Sequence, residues 1–281
     1  MSMAEQSEDL RLIAQLREVD DLRLETREEL GWIEEDIRKG DASREDLDYL
    51  RKLGGELLGG GVEATARSGK IIRVCFVGDS ITTGTGDETY LGWPARVANA
   101  AWEEGHDVTC YNLGVRADTS EHIAARWRAE CESRLIPDIA GAVVFSFGLN
   151  DSADMNGTRR VPLDRSIEIA RAMLAEAKAR WPVLWVGPTP IDEARQPVTG
   201  ATGAKFDLRN ERIAEYSEAY RELAIELAVP YLDLVKPLVA DDAFTASIAS
   251  GDALHPTRKG YEVIADRVTA WAGWQGLLKS K

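Results

Sequence analysis

From residue 71 onward, short apolar runs alternate with segments of helical periodicity, and this alternation restricts the chain to few folds. The apolar runs are rich in β-branched or aromatic residues, as strands are, and cover residues 71–77, 108–113, 142–147, 183–187 and 230–234. Helical patterns cover residues 93–105, 119–134, 163–180, 207–228 and 257–273. Strands that alternate with helices form parallel βαβ units. The sequence therefore predicts an α/β fold, a three-layer α/β/α sandwich with a parallel sheet of about five strands.

The first quarter of the chain carries a different pattern, which is typical of helices without strands. Apolar side chains recur at alternating steps of four and three, as on a coiled-coil helix, if Arg23 and Thr26 occupy the middle of the series. Gly40 ends this predicted long helix, and Ser43 with Asp46 can cap a second one. The apolar members of the series are Leu12, Leu16, Val19, Leu30, Ile33 and Ile37.

These patterns divide the chain into three predicted parts. Residues 1–58 form an N-terminal helical hairpin, residues 59–70 form a glycine-containing linker, and residues 71–281 form the α/β domain. An apolar stripe on a tethered hairpin suits two roles: it mediates homo-oligomerisation, or it covers the α/β domain. A hairpin that packs only on its own chain explains the stripe equally well, so these interpretations stay open.

Charge and cysteine content restrict the partners and the location of the protein. The formal net charge of −14 argues against nucleic acid or an anionic membrane surface as the main partner. No stretch approaches the length of about 18 apolar residues that a membrane-spanning helix needs, so we expect no integral membrane association. The acidic N-terminus lacks the order of a signal peptide. Cys75, Cys110 and Cys131 show neither CxxC nor His-paired spacing, which favours reduced thiols and a cytoplasmic location.

Three of the predicted strands run into polar loops that contain glycine. The loops read GDSITTG from residue 78, GVRADTS from residue 114 and GLND from residue 148. In a parallel α/β sheet, ligands bind beyond the carboxyl ends of the strands. We therefore expect the three loops to meet at one crevice.

Ser80 and His255 are the best candidates for nucleophilic catalysis. Ser80 follows a predicted buried strand, in a tight turn that Gly78 permits. His255 follows Asp252 by three residues, so that carboxylate can hold Nδ1 while Nε2 takes a proton from a serine hydroxyl. Each also has a simpler explanation: Asp79 or Ser80 can merely cap a helix, and His255 can merely stabilise its own turn.

Gly114 and Asn150 are candidates for stabilising the charge that such a reaction creates. Acyl transfer places negative charge on a carbonyl oxygen, and fixed donors must point at that oxygen. A glycine lets a backbone N–H approach closely, and an asparagine amide is a neutral donor. Each residue also suits an ordinary turn. Asp118 and Asp151 are expected instead to serve their loops through local hydrogen bonds.

Together these segments resemble the GDSL, or SGNH, hydrolase superfamily over about residues 71–275. The resemblance implies the flavodoxin-like SGNH hydrolase fold, and it leaves the first 70 residues outside. Ala117 stands where many members have a second glycine, a departure that affects no catalytic role. The matching blocks occur in the family's order: GDSIT at 78–82 with Ser80, NLGVRADT at 112–119 with Gly114, GLND at 148–151 with Asn150, and DALHP at 252–256 with Asp252 and His255.

The residues and the resemblance together predict a serine esterase that hydrolyses carboxylic esters. Ser80, His255 and Asp252 form its catalytic triad, and the oxyanion hole consists of the Ser80 and Gly114 N–H groups with the Asn150 side chain. This chemistry needs no metal and no organic cofactor, and its partner is a small-molecule ester. Because no strongly apolar lid is visible, we expect short acyl chains. The long loop at 188–206 either walls the pocket or is a surface excursion.

Other functions suit the same residues. An acyltransferase, a lysophospholipase or a thioesterase would use the same site, and an added alcohol that diverts the product from acid to ester would reveal transfer. A non-catalytic scaffold would keep the fold alone. A scaffold has no need of Ser80, Asp252 and His255 together, so their joint presence favours an enzyme.

Overall fold

The chain forms two compact units, Met1–Arg67 and Ser68–Lys281. The structure is a computed structural model that describes residues 3–17, 24–57, 69–200 and 203–279. Residues 59–68 of the predicted linker lie outside the described residues. The predicted limits of the three parts of the chain therefore stay a prediction. No helix in the described residues is both long and apolar enough to cross a membrane.

The N-terminal unit contains the predicted helices. Its described elements are α1 (Met3–Arg17), α2 (Leu24–Lys39) and α3 (Arg44–Leu57). As predicted, α2 ends before Gly40, whose φ of 80° lies in the left-handed region that favours glycine. The predicted cap of α3 is also present: the Asp46 backbone N–H donates to Ser43 Oγ at 3.1 Å, and the Ser43 backbone N–H donates to Asp46 Oδ2 at 3.1 Å.

The arrangement of these helices differs from the predicted hairpin. The apolar series does not lie on one long helix, because α1 and α2 pack against each other and both pack against α3. One long helix would leave much of the stripe in water, whereas folding back buries it. Val19 and Arg23 of the series lie outside the described residues. The buried core of this unit contains Ile13, Leu16, Leu30, Ile33, Ile37 and Leu50.

The second unit is built on a parallel sheet, as predicted. The strands, in chain order, are β1 (Ile71–Gly78), β2 (Asp107–Gly114), β3 (Gly141–Ser146), β4 (Asp154–Met155), β5 (Thr158–Arg159), β6 (Val183–Val186), β7 (Val198–Thr199), β8 (Lys205–Asp207) and β9 (Tyr231–Leu232). Five of them form the main sheet, in the order β2-β1-β3-β6-β9, and every pair in it is parallel.

Helices cover both faces of this sheet, which gives the predicted three layers. In chain order they are α4 (Ser80–Thr83), α5 (Gly92–Glu103), α6 (Ser120–Glu132), α7 (Leu163–Lys178), α8 (Asn210–Glu226), α9 (Val235–Val239), α10 (Asp242–Ser250), α11 (Arg258–Ala270) and α12 (Ala272–Lys279). Val74 and Phe76 of β1 face a core that includes α5, α11 and α12. Cys75 and Val77, which alternate with them, face a second core that includes α6, α7 and α8.

A second, antiparallel sheet was not predicted from the sequence. It has the order β5-β4-β8-β7, and it joins the segment after β3 to the long loop between β6 and α8. Its strands are two or three residues long, too short to show a hydrophobic period. The loop at 188–206 is therefore partly ordered into a sheet; residues 201–202 of it lie outside the described residues.

Candidate active site

The loops predicted to meet do leave the sheet side by side. Gly78, the last residue of β1, is paired in register with Gly114 at the end of β2 and with Ser146 at the end of β3. A side chain at position 78 would overlap Thr82 Oγ1 and the Ser146 carbonyl oxygen. Glycine is therefore required where β1 turns into α4.

Asp79 and Ser80 follow in this turn. Asp79 is the N-cap of α4, and its Oδ1 accepts a hydrogen bond from the Ile81 backbone N–H at 2.9 Å. Ser80 is the first residue of α4, so the capping explanation applies to its neighbour. The Ser80 side chain has a different contact, with a histidine 175 residues further along the chain.

Ser80, His255 and Asp252 form one hydrogen-bonded row. His255 Nε2 lies 2.8 Å from Ser80 Oγ, and His255 Nδ1 lies 2.7 Å from Asp252 Oδ2. Ser80 and His255 are only 4% and 7% exposed, whereas the Asp252 side chain is 55% exposed. With Nδ1 protonated toward the carboxylate, Nε2 is free to accept the serine proton. The row has the geometry of a nucleophile, its base and the group that orients the base.

Asp252 holds both the ring and the backbone of its loop. Its Oδ1 accepts the backbone N–H groups of Leu254 at 3.0 Å and His255 at 2.7 Å, while Oδ2 faces the imidazole. Partial burial raises the pKa of the Asp252 carboxyl, but the hydrogen bonds from His255 and Leu254 outweigh burial and hold it well below its usual range. The carboxylate therefore stays ionised. Asp252 stabilises the turn and orients the His255 ring at the same time. A structural role of this turn is therefore compatible with a role of His255 toward Ser80.

Gly114 lies at the end of β2, next to the nucleophile turn. A Cβ at this position would overlap the Thr83 nitrogen and lie 2.7 Å from the Asp79 carbonyl oxygen, which explains the glycine. The Gly114 N–H donates to Asn112 Oδ1 at 3.0 Å, and Asn112 Nδ2 donates to the Thr82 carbonyl oxygen at 2.8 Å. Asn112 was not singled out in the sequence. It could have been predicted from the sequence, because an asparagine side chain commonly accepts a hydrogen bond from the backbone N–H two residues later.

Asn150 lies in the loop after β3 with both ends of its amide engaged. Its Nδ2 donates to Asp79 Oδ2 at 3.2 Å, and its Oδ1 accepts from Arg160 Nη1 at 2.8 Å. Burial raises the pKa of Asp79 to about 6, although the Ile81 N–H, the nearby His255 and the Asn150 amide each lower it. Arg160 was also missed by the sequence analysis.

Asp118 and Asp151 serve as structural anchors, but their hydrogen bonds are not local as predicted. Asp118 Oδ2 accepts from Arg126 Nε at 2.8 Å. Asp151 is fully buried; its Oδ1 accepts from the Ser120 backbone N–H at 2.7 Å, and its Oδ2 accepts from Ser166 Oγ at 2.5 Å. The carboxylate of Asp151 connects the loop after β3 to the start of α6. The prediction of local hydrogen bonds was wrong because these partners are distant in sequence and become neighbours only in the fold.

The long loop between β6 and α8 contacts the segment that carries Asp252 and His255. The Asp192 backbone N–H donates to the Ala253 carbonyl oxygen at 3.0 Å. Arg195 donates to the Gly251 carbonyl oxygen at 3.1 Å and to the Ile248 carbonyl oxygen at 2.9 Å. These described parts of the loop therefore brace the turn that presents Asp252 and His255.

No group of three or more His, Cys, Asp or Glu side chains within the described ranges is arranged to hold a metal ion. Cys75, Cys110 and Cys131 are free thiols, and Cys75 and Cys131 are buried.

The parallel sheet and the polar loops at its carboxyl ends define the chain as a hydrolase of the SGNH class. The chain belongs to the GDSL-like lipase/acylhydrolase family, which residues 76–263 match. The human isoamyl acetate-hydrolyzing esterase 1 homolog is similar, with 28% identity over 204 residues, which are 68% of this chain and 77% of that protein. The family match and the similarity to an esterase together identify the chain as an enzyme that hydrolyses esters.

Solved structures share the fold. The lipase/acylhydrolase from Enterococcus faecalis is 25% identical with a TM-score of 0.59, covering 74% of this chain and 98% of that one. The psychrotrophic esterase EstA from Pseudoalteromonas sp. is 16% identical with a TM-score of 0.52, covering 70% of this chain and 93% of that one. The likeness to EstA concerns the fold alone.

Proposed function

We propose that this protein is a serine esterase that hydrolyses carboxylic esters of short acyl chains, with Ser80 as nucleophile. The observation that carries the proposal is the row from Ser80 Oγ through the His255 ring to Asp252, with contacts of 2.8 and 2.7 Å. Both contacts lie within hydrogen-bond range for a nucleophile and its base.

In the acylation step, His255 Nε2 takes the proton of Ser80 as Oγ attacks the ester carbonyl carbon. The imidazolium that forms is stabilised by the ionised Asp252 on the opposite ring nitrogen. His255 then gives this proton to the leaving alcohol as the bond between the carbonyl carbon and the alcohol oxygen breaks. The product of this step is an acyl ester on Ser80.

The negative charge on the carbonyl oxygen is stabilised by the Ser80 and Gly114 backbone N–H groups and by Asn150 Nδ2. In the free enzyme the Gly114 N–H faces the neutral Asn112 oxygen. An oxyanion is a stronger acceptor than a neutral amide oxygen, so the hydrogen bond donated by the Gly114 N–H is strongest when the negative charge develops. An interaction that strengthens in the transition state accelerates the reaction.

In the deacylation step, water replaces the alcohol. His255 takes a proton from the water, which attacks the acyl carbon, and the bond to Ser80 Oγ breaks as His255 returns a proton to that oxygen. The carboxylic acid leaves, and the enzyme returns to its starting state.

The preference for short acyl chains is supported by the human relative, whose name specifies an acetate ester. The nucleophile and the base are almost fully buried, so the substrate must reach Ser80 through a restricted opening. We therefore place acetyl to butanoyl esters as the substrate class.

Hydrolysis of p-nitrophenyl esters from acetate to dodecanoate tests this proposal, with wild type beside Ser80→Ala. We expect activity to be highest for acetate to butanoate and to fall by at least about 10⁴-fold in Ser80→Ala, because the remaining groups cannot replace the nucleophile. Ser217→Ala is the matched control: Ser217 is also 4% exposed, but its Oγ donates to Asp233, the residue after β9, and not to a histidine. This variant should keep wild-type turnover.

Equal turnover in Ser80→Ala and wild type would overturn the proposed nucleophile. A maximum at longer chains would overturn the short-acyl assignment and leave the nucleophile intact. A Ser80-dependent product that becomes an ester of added butanol would support acyl transfer in place of hydrolysis.

A further inference from the structure

Arg160 bridges two of the loops that carry proposed oxyanion donors. Its Nη1 donates to Asn150 Oδ1 at 2.8 Å, and its Nη2 donates to the Ala117 carbonyl oxygen at 2.6 Å. Asn150 lies in the loop after β3, and Ala117 lies in the loop after β2 that begins at Gly114. One guanidinium group thus fixes the separation of these two loops.

The guanidinium is itself held in place. It lies over the ring of Phe206 in β8, 5.5 Å from the ring centroid, and the Arg160 backbone N–H donates to the Ala153 carbonyl oxygen at 2.9 Å. The planar fork of arginine presents its donors in a fixed geometry, which the ammonium of lysine does not. The small antiparallel sheet therefore supplies a rigid support for the two loops.

This contact determines which way the Asn150 amide faces. Arginine has donors only, so the oxygen of the amide must face it, and the nitrogen must face the Asp79 carboxylate. One hydrogen of Nδ2 is used by Asp79, and the other is left for a substrate oxyanion. The charge on Arg160 also polarises the amide, which makes that second N–H a stronger donor.

Arg160 also anchors a strained backbone. Ala117 has a φ of 65°, in the left-handed region that is unfavourable for a residue with a Cβ. Because an arginine donates to its carbonyl, the strained turn is held in one conformation, and with it the loop that begins at Gly114.

We propose that Arg160 is a positioning residue for the oxyanion hole, fixing the Asn150 amide and the Gly114 loop in the arrangement that receives the charged oxygen. This inference rests on the proposed function of Asn150 and Gly114 as oxyanion donors. Arg160 acts through those groups and does not itself contact the substrate.

The test compares kcat and KM for p-nitrophenyl acetate in Arg160→Met, Asn150→Ala and the double variant. We expect Asn150→Ala to lower kcat by about 10²–10³-fold and Arg160→Met to lower it by about 10- to 100-fold, with KM within about threefold of wild type. Because Arg160 acts through Asn150 and also through the Gly114 loop, the double variant should lose less kcat than the product of the two single losses.

Two further variants separate positioning from folding. Arg159→Met removes the neighbouring arginine, which pairs with Asp154 and lies over Tyr216, and should leave kcat unchanged. Arg160→Lys keeps the charge but reaches one acceptor at a time, so kcat should lie between wild type and Arg160→Met. If Arg160→Met does not fold, Arg160→Lys carries the comparison with Asn150→Ala.

Three outcomes overturn the inference. Either Arg160→Met matches Arg159→Met in kcat, or the double variant loses the full product of the two single losses, as independent residues do, or the loss appears in KM alone, as for a residue that binds substrate. In each case a low kcat in Asn150→Ala leaves the proposed oxyanion hole standing. If Asn150→Ala and Ser80→Ala both keep wild-type kcat, the proposed function fails, and this inference fails with it.

Discussion

Asp79, the residue before Ser80, carries a carboxyl group that is buried away from water. Its hydrogen bonds with Ile81 and Asn150 only partly replace hydration, so burial raises its pKa to about 6 from a usual 3.8. Between these two values, the folded protein binds a proton that the unfolded chain has already released. The free energy of unfolding therefore falls as the pH rises from about 3.8 to about 6.

Asp79→Asn should remove this dependence. Urea unfolding at pH 4 and pH 7 measures the free energy of unfolding of both proteins. From pH 4 to pH 7, the variant's free energy of unfolding should rise by about 2 kcal/mol relative to that of wild type. The other residues are the same in both proteins, so their contributions to the difference largely cancel. A difference that is the same at both pH values would contradict the raised pKa of Asp79.

Residues that act across loops mark the limit of prediction from sequence at this scale. Ser80, Gly114, Asn150, Asp252 and His255 were singled out because each lies in a short block with a recognisable local pattern. Arg160 has no such pattern, since its acceptors come from loops 10 and 43 residues away and become neighbours only when the sheet forms.

At the scale of elements, the turn from β1 into α4 tolerates no side chain at Gly78. The end of β3 approaches it from one side and α4 from the other, through the Ser146 carbonyl oxygen and Thr82 Oγ1. A methyl group there must push α4 away from the sheet, and Ser80 is the first residue of α4.

Gly78→Ala should therefore lose both stability and activity. Overpacking at such a site costs about 1–3 kcal/mol, and a nucleophile displaced by about 1 Å costs about 10²-fold in turnover. Thermal unfolding and p-nitrophenyl acetate hydrolysis measure the two effects. In the control Gly276→Ala, no described atom lies within 4 Å of the new Cβ. The free energy of unfolding should therefore rise by up to about 1 kcal/mol, because alanine favours a helix over glycine, and turnover should not change. Wild-type turnover in Gly78→Ala would show that α4 can move without cost.

The elements themselves were predicted where their periods are long. Among the main strands, β1, β2, β3 and β6 are four to eight residues long, and the predicted helices between the strands span several turns. β9 has only two residues, but it lies in the segment predicted at 230–234. The strands β4, β5, β7 and β8 have two or three residues, too few to show a period, and β4 pairs with β8 across about 50 residues of sequence. The N-terminal helices were predicted from their apolar spacing, but the same spacing suits one long helix or two that fold back.

For the whole molecule, the two units bury separate cores. A unit of about 60 residues buries a smaller fraction of its surface than a unit of about 200 residues, and it is correspondingly less stable. Leu30 is fully buried among the N-terminal helices, while the candidate site residues all lie in Ser68–Lys281. Loss of the first core should therefore spare the second.

Leu30→Ala should unfold the N-terminal helices and leave esterase turnover intact. Truncating a buried leucine costs about 2–5 kcal/mol, which is comparable to the whole stability of so small a unit. Circular dichroism measures the helix loss, and p-nitrophenyl acetate hydrolysis measures turnover. Turnover that is lost together with the helices would contradict the prediction.

The same variant, with a matched control, tests the predicted homo-oligomer. Trp32, also in α2, is 65% exposed, so Trp32→Ala should keep the helices folded. If these helices mediate association, light scattering should give a lower mass for Leu30→Ala. An unchanged mass in both variants would remove the oligomer prediction.

The spacing of 175 residues between Ser80 and His255 has a consequence for the chain during its synthesis. A ribosome that adds about 5–20 residues per second needs roughly 10–35 s to pass from one to the other. Throughout that interval the nascent chain carries Ser80 without its proposed base, and a translation product that stops before Asp252 never gains it. Under the proposed mechanism we expect such fragments to have no esterase activity, so that activity would report translation past His255.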